Sequence, residues 1–160
     1  MEKQISVPVA NGITWVGVQD PGLRRFDVVM KTQYGSSYNS YIVKGEKKTA
    51  LIDTVKDGFF AGSLERIKSV VDPAKIDVIV IQHTEPDHSG SISELLKAAP
   101  HAKIYCTRAA AANLPQIANE PVACEIVKDG EVLDLGGHTL RFILAPNLHW
   151  PDTMFTYDEK

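Results

Sequence analysis

Four potential metal ligands stand within six residues of the segment His83-Thr-Glu-Pro-Asp-His88. They directly follow the apolar run 77–82, which is typical of a buried strand. Functional side chains of α/β folds collect at the carboxyl ends of such strands. Alternate residues of an extended segment point opposite ways, so one such cluster can hold two metal ions. The sequence therefore predicts a metal site built on these four side chains.

Pro86 restricts the backbone in the middle of this segment. Proline fixes its own φ and biases the residue before it, Glu85, away from helix. We therefore expect residues 83–87 to be extended, with His83, Glu85 and Asp87 leaning to one side.

Metal ligands also need neighbouring groups that hold their rings in place. The candidates for this role are Thr84, Asp53 and Ser89. Asp53 ends a predicted buried strand and is equally compatible with capping a turn. His101 follows a proline and His138 follows two glycines, so both are interpreted as exposed turn residues.

Hydrophobic periodicity and turn residues divide the chain into short elements. Strands are predicted at 13–18, 38–43, 49–53, 77–82, 103–106, 125–127, 131–135, 139–144 and 154–157, and helices at 59–71, 91–99 and 108–113. Gly45-Glu46 predicts a hairpin between the second and third strands. Ser91 and Glu94 have the spacing of a capping box, and Thr107 is placed to cap the third helix.

Strands that give way to alternating strands and helices indicate a mixed α/β sheet with helices on its faces. The final residues 158–160 resemble a hairpin turn without its second strand. An unpaired edge of this kind is a liability. The chain is therefore interpreted as the amino-terminal part of a longer protein.

The bulk composition fits one globular domain, with 160 residues, 44% hydrophobic residues and a net charge of -3. Nucleic acid binding is not expected, because the sequence shows no basic stripe. No membrane span is predicted, because no segment reaches about 18 apolar residues. Cys106 and Cys124 are interpreted as buried thiols. Without a signal-peptide core or a disulfide framework, a cytoplasmic location is expected.

The His-x-Glu-x-Asp-His pattern at 83–88, followed much later by His149, resembles the metallo-β-lactamase-like domain of flavodiiron proteins. This family includes rubredoxin:oxygen oxidoreductases and flavorubredoxins. Segments 36–41, 51–55, 72–77 and 148–152 also resemble this family. The resemblance therefore runs from about residue 13 to residue 160. The glutamate at position 85 together with His-Trp-Pro-Asp makes the match narrow.

The resemblance implies an α/β (α+β) fold, the metallo-β-lactamase-like αββα sandwich, of which residues 1–160 would form the first half and the start of the second. It implies a non-haem di-iron centre with two Fe ions. His83, Glu85 and His149 would bind one iron, and Asp87 and His88 the other. A bridging aspartate and a further histidine are expected beyond residue 160.

The resemblance also implies reduction of dioxygen to water, of nitric oxide to nitrous oxide, or of both, with electrons from FMN. The flavodoxin-like FMN domain is absent from these residues. FMN is therefore expected from a missing domain or from another chain of a head-to-tail homodimer, in contact with Trp150 and with Glu85. Rubredoxin or a flavin reductase is the expected electron donor.

Two other functions stay open. A zinc hydrolase of the metallo-β-lactamase superfamily would use a metal-bound hydroxide, but Glu85 stands where such enzymes normally have histidine. The chain could also be a catalytically silent fragment or a dimerising module. Five ligand side chains would leave two ions under-coordinated, so weak or single-site metal binding is expected from this chain alone. An exposed sheet face would favour dimerisation.

Overall fold

The computed structural model describes residues 6–160 of the chain. Its strands are β1 (Val7–Ala10), β2 (Ile13–Trp15), β3 (Val18–Asp20), β4 (Arg25–Phe26), β5 (Met30–Lys31), β6 (Ser36–Tyr38), β7 (Tyr41–Lys44), β8 (Thr49–Ile52), β9 (Val78–Ile81), β10 (Lys103–Cys106), β11 (Cys124–Ile126), β12 (Val132–Asp134), β13 (Thr139–Leu144) and β14 (Met154–Asp158). Its helices are α1 (Phe60–Val70), α2 (Pro86–Ser89), α3 (Ile92–Ala98) and α4 (Arg108–Ala118), with a 3-10 turn at Pro73–Lys75.

The main sheet has seven strands in the order β1-β2-β7-β8-β9-β10-β11. Its first strands pair antiparallel, and the predicted hairpin between β7 and β8 is confirmed. From β8 to β11 the strands run parallel. The carboxyl ends of β8, β9 and β10 therefore share one edge of the sheet.

A second sheet of three antiparallel strands has the order β12-β13-β14. It meets the end of β9 through Gln82, whose carbonyl accepts from Met154 N (3.0 Å) and whose Oε1 accepts from Thr156 N (2.7 Å). The strands predicted on either side of residues 129–130 fall into different sheets, because β11 joins the first and β12 the second.

Side chains of the parallel strands alternate between two hydrophobic clusters, as the two-residue period of a strand requires. Leu51, Ile79 and Ile81 pack with residues of α1, α3 and α4 on one face. Ile52 and Val80 pack against the second sheet on the other face. The described residues thus form three layers, helices, sheet and sheet, in agreement with the predicted αββα order.

The helices follow their sequence signals in part. The first ends before Asp72-Pro73, where the chain turns extended, as predicted. Thr107 caps α4 by accepting from Ala110 N, but this helix runs through Pro115 to residue 118, so the predicted end at residue 113 is wrong. Its buried face simply continues with Leu114 beyond the point where the proline suggested a stop.

Three local predictions are wrong. Residues 83–87 are not extended throughout, because Pro86 begins the helical turn α2, a first-turn position that proline favours. Ser91 precedes α3 without a side-chain cap bond, and its hydroxyl donates to Lys56 O instead. His138 is buried rather than exposed, with Nδ1 lying 2.7 Å from Asp158 Oδ2.

Among residues 6–160, no helix has the length and apolar character needed to cross a membrane.

Candidate metal centre

The predicted ligands lie at the carboxyl edge of the parallel strands. The segment 83–88 leaves β9, and His149 lies in the loop that joins β13 to β14. This loop is brought back to the first sheet by the bonds that β14 makes with Gln82. Two distant parts of the sequence therefore meet at one edge of the fold.

His83, Glu85 and His149 come together in a compact group. Each offers one ligand atom, and these atoms lie within 4.8 Å of one another. Glu85 Oε2 is central, at 3.1 Å from His83 Nε2 and 2.7 Å from His149 Nε2. His83 is buried, whereas the side chain of His149 is 55% exposed, so the group opens to solvent on the loop side.

Asp87 and His88 form a looser pair beside this group. His88 Nε2 lies 3.7 Å from Asp87 Oδ2, and the rings of His83 and His88 are 5.4 Å apart. Asp87 Oδ1 is buried, with no hydrogen-bond partner among the described residues. A buried carboxylate oxygen of this kind needs a partner such as a cation.

Two aspartates stand behind the histidines. Asp53 Oδ2 lies 2.9 Å from His88 Nδ1, where it can orient this ring, and its Oδ1 accepts from Gln82 N. Asp152 Oδ1 lies 3.1 Å from His83 Nδ1. Asp152 is the last residue of the motif at 148–152, and the sequence predicts no role for it. No local pattern signals its contact with His83, which is 69 positions away.

The other two predicted neighbours, Thr84 and Ser89, do not contact a ligand ring directly. Thr84 donates to Asp152 Oδ2 through both its backbone N–H and its hydroxyl, each at 2.6 Å. Ser89 donates to Thr84 O (2.9 Å), so it supports the backbone of the ligand segment rather than a ligand ring.

Burial and neighbouring charges shift the pKa values of three side chains in the site in different directions. Burial alone would raise the pKa of Glu85, but its contacts with His149 and His83 hold the pKa below the ordinary value. Burial raises the pKa of Asp87, against the effect of His88. For His88, burial works toward a lower pKa, yet the hydrogen bond and charge of Asp53 raise it to about 9. The cluster thus attracts positive charge.

Several residues at the site adopt a backbone conformation that L-residues rarely take. Asp53, Asn147 and His149 have φ of 55°, 65° and 85°. Such conformations cost on the order of 1–3 kcal/mol each and concentrate at functional sites. Here they turn the chain sharply where β8 ends and where the loop after β13 presents its histidine.

Trp150 and a small cavity border the group. The indole lies edge-on to the His83 ring, with centroids 5.1 Å apart, and is 39% exposed. The cavity, of about 170 Å³, is lined by Leu23, Arg25, Phe26, Asp27, Lys56, Glu85, Pro86 and Asp87. Most of its far wall comes from the β4–β5 hairpin.

The donor set fits iron. Imidazole nitrogens suit Fe and Zn alike, and carboxylate oxygens are harder donors that favour the more highly charged metal states. A bound cation would interact with the three converging donors and would give Asp87 Oδ1 the partner that it lacks among the described residues. Cys106 and Cys124 are not part of the group; Cys106 is buried, as predicted, whereas Cys124 is only half-buried.

Comparison with known proteins identifies the family of the chain. A family model described as "ODP family beta lactamase" matches residues 37–160. The flavo-diiron protein FprA2 of Clostridium acetobutylicum is 48% identical over 157 residues, which are 97% of this chain and 39% of that protein.

Solved structures give the same result. The rubredoxin oxygen:oxidoreductase of Desulfovibrio gigas matches with a TM-score of 0.90 and 36% identity, over 96% of this chain and 38% of that one. The flavodiiron protein of Giardia intestinalis matches with a TM-score of 0.89 and 36% identity, over 96% and 37%. The chain spans about 39% of the length of the curated relative above.

The chain therefore belongs to the flavodiiron protein family, within its β-lactamase-like domain. The predicted family and the predicted metallo-β-lactamase-like fold are confirmed.

Proposed function

We propose that this chain forms the iron-binding part of a flavodiiron oxidoreductase. One observation carries the proposal: the ligand atoms of His83, Glu85 and His149, which are far apart in sequence, lie within 4.8 Å of one another. Asp87 and His88 stand beside them with a buried oxygen free to bind a cation. The similarity to flavodiiron proteins supports an oxidoreductase di-iron domain.

In this proposal His83, Glu85 and His149 hold one iron, and Asp87 with His88 holds the second. Iron, when bound, would pass electrons from FMN to dioxygen or nitric oxide, which zinc cannot do because it has no redox chemistry. Glu85 adds a negative charge that a histidine at this position would lack. That charge should stabilise the ferric state.

The cavity beside Glu85 and Asp87 suits a small neutral substrate. Leu23 and Phe26 give it apolar walls, and about 170 Å³ leaves room for only a small molecule. Lys56 also lines it and offsets part of the carboxylate charge. These residues would limit the water that reaches the ligands on this side.

Electrons would come from FMN carried by another domain or chain. The exposed face of Trp150 beside His83, and the access to Glu85 from the cavity, support these two residues as the flavin contacts. A head-to-tail homodimer and a donor such as rubredoxin or a flavin reductase complete the proposal. Three points stay predictions: whether the substrate is O2 or NO, which protein donates the electrons, and the cytoplasmic location.

Metal analysis tests the proposal. Protein purified from iron-supplied cells is expected to contain iron and to show a ferric absorption band. A His83→Ala variant should lose most of this metal, whereas the matched His101→Ala variant, at an exposed turn, should retain it. Stoichiometric colourless zinc would support a hydrolase instead, and protein without metal would support a silent module.

A further inference from the structure

Asp152 is a buried carboxylate whose two oxygens both have partners beside the ligand His83. It is 1% exposed, and its Oδ2 accepts from Thr84 N and Thr84 Oγ1, both at 2.6 Å. Its Oδ1 is left to face His83 Nδ1 at 3.1 Å. Burying a carboxylate costs free energy unless both of its oxygens have hydrogen-bond partners. The contacts that satisfy Asp152 also fix the orientation of its side chain.

The contact with Asp152 decides which nitrogen of His83 carries a proton. Asp152 accepts both of its hydrogen bonds from Thr84, and a carboxylate in its ionised form only accepts hydrogen bonds. Nδ1 of His83 must therefore be the protonated nitrogen. Nε2 then lies 3.1 Å from Glu85 Oε2, where its lone pair is available to a cation shared with that carboxylate.

Helix α4 holds Asp152 from two points. Thr107, which caps this helix, donates its hydroxyl hydrogen to Asp152 O at 3.1 Å. One to two turns further on, Asn113 Nδ2 donates to Thr84 Oγ1 at 3.0 Å. The donors therefore run in one direction, from the Asn113 amide to the Thr84 hydroxyl and on to the Asp152 carboxylate.

From these contacts we infer that Asp152 is a positioning residue, which fixes His83 with its Nε2 toward Glu85 and is itself held by Thr84, Thr107 and Asn113. This inference rests on the metal site proposed above. Groups that orient a metal-bound histidine typically change metal affinity about 10- to 100-fold when they are removed.

Zn²⁺ is the probe for the test, because it is diamagnetic and binds the same donor types as iron. Zn²⁺ affinity is measured on the purified protein by competition with a chelator. The Asp152→Asn variant is expected to bind Zn²⁺ about 10- to 100-fold more weakly. In NMR spectra of the zinc-loaded protein, the downfield Nδ1–H signal of His83 should shift upfield or disappear.

The chain offers a matched control for this substitution. Asp158 is also paired with a buried histidine, His138, at 2.7 Å, but at the end of β13 and β14 opposite to His149. Asp158→Asn makes the same chemical change, and its Zn²⁺ affinity should stay within about threefold of the parent, with the His83 signal unmoved.

A second pair of variants keeps the carboxylate in place. Thr84→Val removes the hydroxyl that joins Asn113 to Asp152, whereas Thr84→Ser retains it. We expect the valine variant to bind Zn²⁺ more weakly and the serine variant to match the parent. This pair decides the question if Asp152→Asn does not fold.

The outcomes separate this inference from the proposed function. If the parent protein binds neither Zn²⁺ nor iron, both fail. If the parent binds Zn²⁺ but Asp152→Asn and Thr84→Val bind it equally well with the His83 signal unchanged, only the role of Asp152 is overturned.

Discussion

Glu85 Oε2 lies 2.7 Å from His149 Nε2, and through this one oxygen the segment after β9 meets the loop after β13. The same oxygen lies 3.1 Å from His83 Nε2. Glu85 therefore lies between two imidazoles, and its negative charge would act directly on an ion bound in this position.

Replacing Glu85 with histidine is therefore expected to raise the reduction potential of the iron centre. The substitution removes one negative charge next to the metal, so the ferric state loses stabilisation relative to the ferrous state. Redox titration of the Glu85→His variant against the parent, both loaded with iron, measures the difference. An equal or lower potential in the variant would contradict the prediction.

Val28 is expected to gain stability from glycine. It has φ of 65° and is 80% exposed, so it carries the strain of the left-handed region with little burial in return. This conformation costs a residue with a Cβ about 1–2 kcal/mol, and the greater freedom of glycine in the unfolded chain cancels part of the gain. Val28→Gly should raise the free energy of unfolding in urea by about 0.5–1 kcal/mol.

Val29 provides the control for that prediction. It is equally exposed, at 79%, but its φ is not positive. Val29→Gly should lower the free energy of unfolding by about 0.5–1 kcal/mol, because only the entropic effect of glycine acts. If both variants change stability in the same direction, backbone strain at Val28 is not the cause.

Phe142 is expected to be critical for the contact between the two sheets. It is fully buried in the cluster between them and stacks on Tyr105 of β10, with ring centroids 6.1 Å apart. Phe142→Ala should reduce the free energy of unfolding by about 3–5 kcal/mol. Phe155 lies on the neighbouring strand β14 and is 47% exposed. Phe155→Ala should therefore reduce the free energy of unfolding by less than about 1 kcal/mol. Comparable losses would show that the cluster does not hold the sheets together.

Thr107 is expected to stabilise α4 through its side-chain oxygen, which accepts from Ala110 N at 3.1 Å. Thr107→Ala removes this cap and should cost about 1–2 kcal/mol in chemical denaturation. Thr107→Ser keeps the oxygen and should remain close to the parent. A serine variant as unstable as the alanine variant would assign the effect to the lost methyl group.

Much of the fold could be predicted from local pattern. The central strands and the first helix have clear two- and 3.6-residue periods, because one face of each is buried. Pro86 holds Glu85 extended, as expected, but proline also favours the first turn of a helix, and the chain takes that alternative from Pro86 onward. Tertiary contacts decided that choice, since the turn places Ser89 under Thr84.

The sequence predicts the ligand types of the site and their position at the end of a strand. The residues that hydrogen-bond to the histidines could not be predicted. Asp152 contacts His83 across 69 positions of sequence, and Asp158 reaches His138 across 20. Nothing in the local pattern of either segment indicates such a pairing, so the sequence predicts no role for Asp152 and a surface position for His138.

The ligand group joins residues of the first sheet to a loop of the second, and at this edge the contacts of Gln82 and Asp152 also link the two. A metal ion held there would act as a cross-link between the sheets, since binding to the folded state alone stabilises it by mass action. Chelation should then expose the segment 145–153 to proteases before the rest of the chain, which makes limited digestion a simple gauge of how fully the centre is loaded.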